Sequence, residues 1–276
     1  DSMFTTFKAP ATITIADPGT IVYDGSVVKV GTSGKDLNYT YGGDGAVTVK
    51  WYADNGGSVG SALSGAPTNA GTYWIGVSAA EGTSSAAVSE VTKKFTISQK
   101  ALTDSMITLG TQKTYNGTEQ GVALSSDSIK DGTVPLIGAG KDYSIVRGNK
   151  ATDVGDNTLV IKGEGNYTGE ARATWSLVAK EVTITPDAKS KTYGAAEPEL
   201  TYSTDLTAGS ALETAFNTAK SGALSYTGTD VGAYPITLGS LAAGSNFTLK
   251  IVTPAVKFTI NQATPSITAT SPRQLV

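Results

Sequence analysis

The side chains able to do chemistry in this chain are few, and the missing ones matter most. Its 276 residues hold no histidine and no cysteine. Ser-His-Asp and Cys-His pairs, imidazole or thiolate metal sites, and disulfides are therefore excluded. Acid–base work is left to carboxylates. Asp153 and Asp156 are close in sequence, as are Glu197 and Glu199. Glycoside hydrolysis needs two acids held about 5–10 Å apart across a cleft. Both pairs stand among turn residues, where a carboxylate is solvated. The best oxygen-donor clusters for calcium are Asp54-Asn55-Gly56-Gly57 and the run from Asp153 to Asp156. Neither has acids at alternate positions closed by a glutamate, as an EF-hand loop requires. Trp51, Trp74 and Trp175 have faces suited to stacking on sugars, but each lies in a strand pattern, which predicts a place in the core. Asn38, Asn116, Asn166 and Asn246 each open an Asn-x-Thr triplet, a pattern that arises readily by chance in a Thr-rich chain. The sequence thus assigns no catalytic residue, no metal ligand, no cofactor and no specific binding residue.

Composition narrows the partners. The net charge is −3, and the 21 Lys and Arg are scattered. A nucleic-acid binder needs a clustered basic face, so no nucleic acid is expected. No apolar run approaches the 18 or more residues of a spanning helix, so this stretch is not expected to insert in a membrane. Thr, Val and Tyr favour pleated backbone, while Gly, Asn and Asp supply turns. No long stretch has a 3.6-residue apolar period, so helix is expected to be scarce. Only Leu212 to Lys220 reads as a short helix.

The elements that must position these residues recur three times. Asn69-Ala70-Gly71-Thr72-Tyr73, Asp153-Val154-Gly155 and Asp230-Val231-Gly232-Ala233-Tyr234 each precede a strand-forming run. Their glycines are 84 and 77 residues apart (155 − 71 and 232 − 155), which is domain-sized. Solenoid repeats run only about 20–50 residues. Tyrosines before a turn (Tyr23, Tyr115, Tyr193) and closing strands ending near Ile97, Leu177 and Ile260 keep the same order. Asn166-Tyr167-Thr168 matches Asn246-Phe247-Thr248. The Tyr-turn rings are expected to pack with their hydroxyls bonded to backbone, and the three glycines to provide positive φ.

Each repeat holds about seven short strand signals separated by turns, the spacing of a β-sandwich. In Val47–Tyr52, Val47, Val49 and Trp51 should face one side and Thr48, Lys50 and Tyr52 the other. Met106–Leu109 and Leu200–Tyr202 read as further strands, and Leu224-Ser225-Tyr226 precedes the third glycine turn. The expected fold is all-β: three tandem immunoglobulin-like sandwiches in an extended array, with β-grasp-like units as the alternative. The repeats are assigned to residues 1–98, 99–179 and 180–262. Residues 263–276, with Thr264-Pro265-Ser266-Ile267-Thr268, read as the start of a further repeat or a linker. The whole reads as a fragment of a longer protein.

The motifs carry a resemblance. Tyr23-Asp24-Gly25 with Ala70-Gly71-Thr72-Tyr73 resembles YDG-type and Ig-like repeats of bacterial surface proteins. Gly163-Glu164-Gly165-Asn166-Tyr167-Thr168-Gly169 is similar to repeats of secreted Gram-positive proteins. Lys191-Thr192-Tyr193-Gly194, Asp230–Tyr234 and Phe258-Thr259-Ile260 resemble the MBG (mostly beta, glycine-rich) repeat. The resemblance implies a non-catalytic stalk or spacer of an adhesin-like protein, extracellular, on the surface or cell wall of a bacterium. The alternative is a module binding carbohydrate or a host glycoprotein. Carbohydrate or a host surface protein would then be met chiefly by neighbouring domains.

Overall fold

The computed structural model describes residues 7–110 and 112–268. The reading of the terminal segment as a further repeat lies partly outside these residues. The chain is all-β, with a single α-helix and one short 3-10 turn among the described residues. It divides into two compact units. The first takes the described residues up to Thr108, with Leu124–Val146 and Val160–Ala173. The second takes Leu109–Ala123, Arg147–Leu159 and the described residues from Thr174 onward.

In the first unit, Ile13–Ile15 pairs antiparallel with Leu37–Tyr41, and Val30–Gly31 lies on the other side of that strand. A five-stranded sheet runs in the order Ile21–Val22, Val88–Ser98, Gly71–Ala79, Val47–Asn55, Ser58–Ala62. The expected alternation holds: Trp51 is buried while Thr48 and Lys50 are exposed. Trp51, Ile75, Val77, Phe95 and Ile97 form one core with Ile13, Ile15 and Leu37. Each such side chain, fully buried, contributes about 1.5–3 kcal/mol. Two sheets closing over one apolar core make this part sandwich-like.

The expected strand Met106–Leu109 does not form. Asp104–Met106 is a 3-10 turn, and Ile107 makes only an isolated bridge to Ile129. At this turn the Asp104 carboxylate accepts the Arg172 N–H at 2.6 Å, a contact across 68 residues of sequence. The ladder is taken instead by Lys100–Ala101, parallel to Tyr167–Thr168.

In the second unit, Lys180–Pro186 pairs with Tyr202–Thr204 and runs parallel to Phe247–Ile251. Lys257–Asn261 sits between Lys189–Thr192 and Gly232–Pro235. One continuous core joins Tyr115, Trp175 and Leu177 to Val182, Ile184, Phe216, Phe247 and Phe258. The Trp175 indole donates to the Gly148 carbonyl at 2.8 Å, so this buried ring leaves no polar atom unpaired. The expected helix forms as Ala211–Ala219. Ser210 caps it by accepting the Glu213 N–H, and Glu213 reaches back to the Gly209 N–H. Its face is anchored by buried Phe216. The strand expected at Leu200–Tyr202 forms later, as Tyr202–Thr204. Ser225 and Thr237 form an isolated antiparallel bridge, backed by a contact between their hydroxyls.

Candidate functional site

The polar side chains that repeat in register gather at one structural station. Each Tyr-turn strand runs parallel to its own closing strand, with Ile21 opposite Ile97, Lys113 opposite Leu177 and Lys191 opposite Ile260. The next N–H groups, of Tyr23, Tyr115 and Tyr193, donate to the carbonyls of Ser98, Val178 and Asn261 at 2.8–2.9 Å. Two residues beyond those carbonyls, the Lys100 and Lys180 N–H groups donate to the carbonyls of Asn166 and Asn246. Backbone pairing alone therefore sets an Asn-aromatic-Thr turn beside each of these joints.

The asparagine side chains then grip the preceding Asn/Asp-x-Gly turn. Asn166 Oδ1 accepts the Ala70 N–H at 2.8 Å, and its Nδ2 donates to Asn69 Oδ1 at 3.0 Å. Asn246 Oδ1 accepts the Val154 N–H at 2.8 Å, and its Nδ2 donates to Asp153 Oδ1 at 2.9 Å. An amide offers both an acceptor and two donors, so one side chain satisfies both halves of the turn. The following aromatics complete the contact edge to face: Tyr167 on Tyr23 at 5.5 Å and Phe247 on Tyr115 at 5.4 Å. Tyr167 and Phe247 are both buried. Burial and the nearby Asp131 carboxylate push the Tyr167 phenol well above its ordinary value.

The first repeat departs from this pattern. The Ala9 N–H bonds to the Ser84 carbonyl and Ala9 bridges Ser85, so Ser84-Ser85 occupies the Asn-aromatic station. Both serines are held by Asp44, whose carboxylate accepts their two backbone N–H groups and two hydroxyls at 2.5–3.0 Å. Those bonds, led by the Ser85 hydroxyl, hold the Asp44 carboxyl far below the usual carboxylate range.

The three glycines do not share one cause. The expected positive φ is present at Gly71 and Gly155, at 158° and 152°, and is absent at Gly232. In the first and third copies the reason is a ring. The Tyr73 and Tyr234 hydroxyls donate back to the carbonyls of Asn69 and Asp230. A Cβ on Gly71 or Gly232 would lie 3.1 or 3.2 Å from those hydroxyls. The hydroxyl-to-backbone bonds expected of the Tyr-turn residues are made by these tyrosines instead.

The residues weighed for chemistry are mostly occupied. Trp51 and Trp175 are core residues. Trp74 is half-buried and donates to Asp54 Oδ1 at 2.8 Å. That bond, with the Gly57 N–H, holds the Asp54 carboxyl below its ordinary value. Asp153 accepts from Asn246, while Asp156 accepts from Ser176. No group of three or more metal-ligating side chains is found among the described residues.

One cleft of about 690 Å³ opens in the second unit, with Glu197, Glu199, Tyr202, Leu224 and Tyr226 among its lining. Glu197 accepts from Lys191 and from the Tyr226 hydroxyl. Lys191 first, then Tyr226, keeps the Glu197 carboxyl below its ordinary value. Desolvation, then the bond to Glu197, pushes the Tyr226 phenol up to about 12.

The sequence treated Asn166 and Asn246 as members of a shared motif but missed their partners. The available signal was that both repeats with an Asn-aromatic pair follow a repeat with an Asn/Asp-x-Gly turn.

The fold is that of an all-β, sandwich-like protein. Residues 182–259 match the family model of the MBG domain (YGX type), and Tyr193-Gly194 lies inside the match. The resemblance to YDG- and MBG-type repeats is thereby supported for the third repeat. Among curated proteins, none matches the chain.

Proposed function

We propose that this chain is a non-catalytic spacer of a bacterial cell-surface or secreted adhesin-like protein. The observation that carries the reading is the repeated clasp of Asn166 on Asn69-Ala70 and of Asn246 on Asp153-Val154. A spacer must transmit position from one repeat to the next. A flexible joint fails at this, because a short unstructured tether samples many directions. A joint pinned by backbone bonds, a two-point amide clasp and a buried aromatic restricts those directions. The surface setting outside the cell is taken from the resemblance to bacterial surface repeats, and the match of residues 182–259 to the MBG domain agrees with that resemblance.

Small-angle scattering tests the reading. A compact globule of 276 residues would have a radius of gyration of about 19 Å. The spacer reading expects a clearly larger value and an elongated distance distribution. A value near that of the globule would overturn it.

A second reading, a carbohydrate-binding module, is favoured by the cleft lined by Tyr202 and Tyr226, which also holds the carboxylates of Glu197 and Glu199. It draws no support from Trp51, which is buried. A glycan array probed with the whole chain decides it: binding abolished by Tyr226→Ala supports the module, and an array without hits removes it.

A further inference from the structure

The third copy of the clasp surface is complete, and among the described residues nothing occupies it. Asp230 and Val231 stand where Asp153 and Val154 stand in the second repeat. Neither the Asp230 carboxylate nor the Val231 N–H has a hydrogen-bond partner among the described residues. Tyr193 takes the place of Tyr115 by backbone register, with its N–H on the Asn261 carbonyl. Yet Tyr115 is 6% exposed beneath Phe247, while Tyr193 is 53% exposed, as is Val231. Ala263 follows Asn261 by two residues, as Lys180 follows Val178. By register, Tyr193 and the Asp230-Val231 turn flank the same end of Lys257–Asn261, since the Tyr193 N–H bonds to the Asn261 carbonyl and Gly232 stands opposite Ile260.

We infer that Asp230, Val231, Tyr193 and Ala263 form a receptor face for the Asn-aromatic-Thr turn of another repeat of this type. The incoming amide would accept the Val231 N–H and donate to the Asp230 carboxylate. Its aromatic would cover Tyr193 edge to face, and its asparagine carbonyl would accept the Ala263 N–H. A second copy of this chain is a poor occupant. Its Asn166 and Asn246 are already engaged, Asn38 is bonded to Lys35, and Ser84-Ser85 offers neither amide nor ring. The inference does not depend on the spacer reading, since a joint of this kind would form whatever the array does.

The test extends the chain at Gln262 with a second copy of residues 180–262 and follows amide hydrogen exchange. The Val231 N–H is expected to exchange about tenfold more slowly than in the 276-residue chain, the effect of one recovered hydrogen bond. Asn246→Ala in the appended copy alone should reverse this, with the original Val154 protection unchanged. Unaltered Val231 exchange beside a folded appended copy overturns the inference. So does an appended copy that stays unfolded, because the face would then not have served as its docking partner. Val231 protection that rises with the concentration of the unextended chain would also overturn it, in favour of a second copy as occupant.

Discussion

Asn166 holds Asn69 from 97 residues further along the chain, Nδ2 to Oδ1 at 3.0 Å. The same asparagine takes the neighbouring Ala70 N–H, so a single side chain fixes one turn at two points. Asn246 does the same to Asp153 and Val154. The difference between the two pairs, amide on amide and amide on carboxylate, leads to the first prediction.

Asn166→Ala and Asn246→Ala should each cost about 1–3 kcal/mol, since a turn N–H loses its only acceptor. Aspartate should separate the two sites. In Asn166→Asp, the Asn69 amide can rotate to present its Nδ2 to the new carboxylate. In Asn246→Asp, the new charge faces the Asp153 carboxylate with no donor between them. Urea denaturation should therefore show Asn246→Asp as the more damaging change. Equal losses would mean that the Asp153 contact does not form in solution.

Core substitutions should rank by burial. Leu37 is fully buried, so Leu37→Ala should cost about 2–5 kcal/mol. Trp175 is 1% exposed and donates to Gly148, and Trp175→Ala should cost about 3–5 kcal/mol. Val134→Ala, at an exposed position, should stay within about 0.5 kcal/mol. Thermal melts monitored by circular dichroism give the order directly.

Tyr226 gives an alkaline signature. Its folded pKa of about 12 lies above the ordinary value of 10.0, so folding favours the neutral phenol. The associated stability is fully present below pH 10 and is lost as pH rises through about 12. Absorbance of tyrosinate should show a late-titrating group that disappears in Tyr226→Phe. If the difference between the two proteins titrates near pH 10, the Tyr226 phenol is neither desolvated nor bonded to Glu197 as in this structure.

Asp44 gives the opposite, acidic signature. Its folded pKa lies below the model-compound value of 3.8, because Ser84 and Ser85 supply four donors to the carboxylate. Its contribution is present above that value and is lost as pH falls through the folded pKa. Asp44→Asn should lower the melting temperature of the first unit at pH 7. The gap to wild type should narrow on strong acidification. A gap that stays constant with pH would show that charge plays no part.

The strand at Val47–Tyr52 and the helix near Leu212 were legible because they are local. Alternation in Val47–Tyr52 and the turn glycines act over a few residues, whereas the Ser210 and Glu213 cap of the helix came to light only in the structure. The expected strand Met106–Leu109 was not legible in this way: Asp104–Met106 is a 3-10 turn, and the Asp104 carboxylate there accepts an N–H from Arg172, 68 residues away.

The sequence by itself determined an all-β chain without histidine or cysteine, built from recurring turn-and-strand stations. Those properties follow from residue types and their periods. Only the tertiary structure decided what the Asn/Asp-x-Gly turns are for. Parallel pairing of Lys100–Ala101 with Tyr167–Thr168, and of Lys180–Pro186 with Phe247–Ile251, brings Asn166 and Asn246 onto turns more than 90 residues earlier. Hydrogen bonds of such separation leave no local trace in composition or period. They exist because two ladders, each specified locally, end side by side.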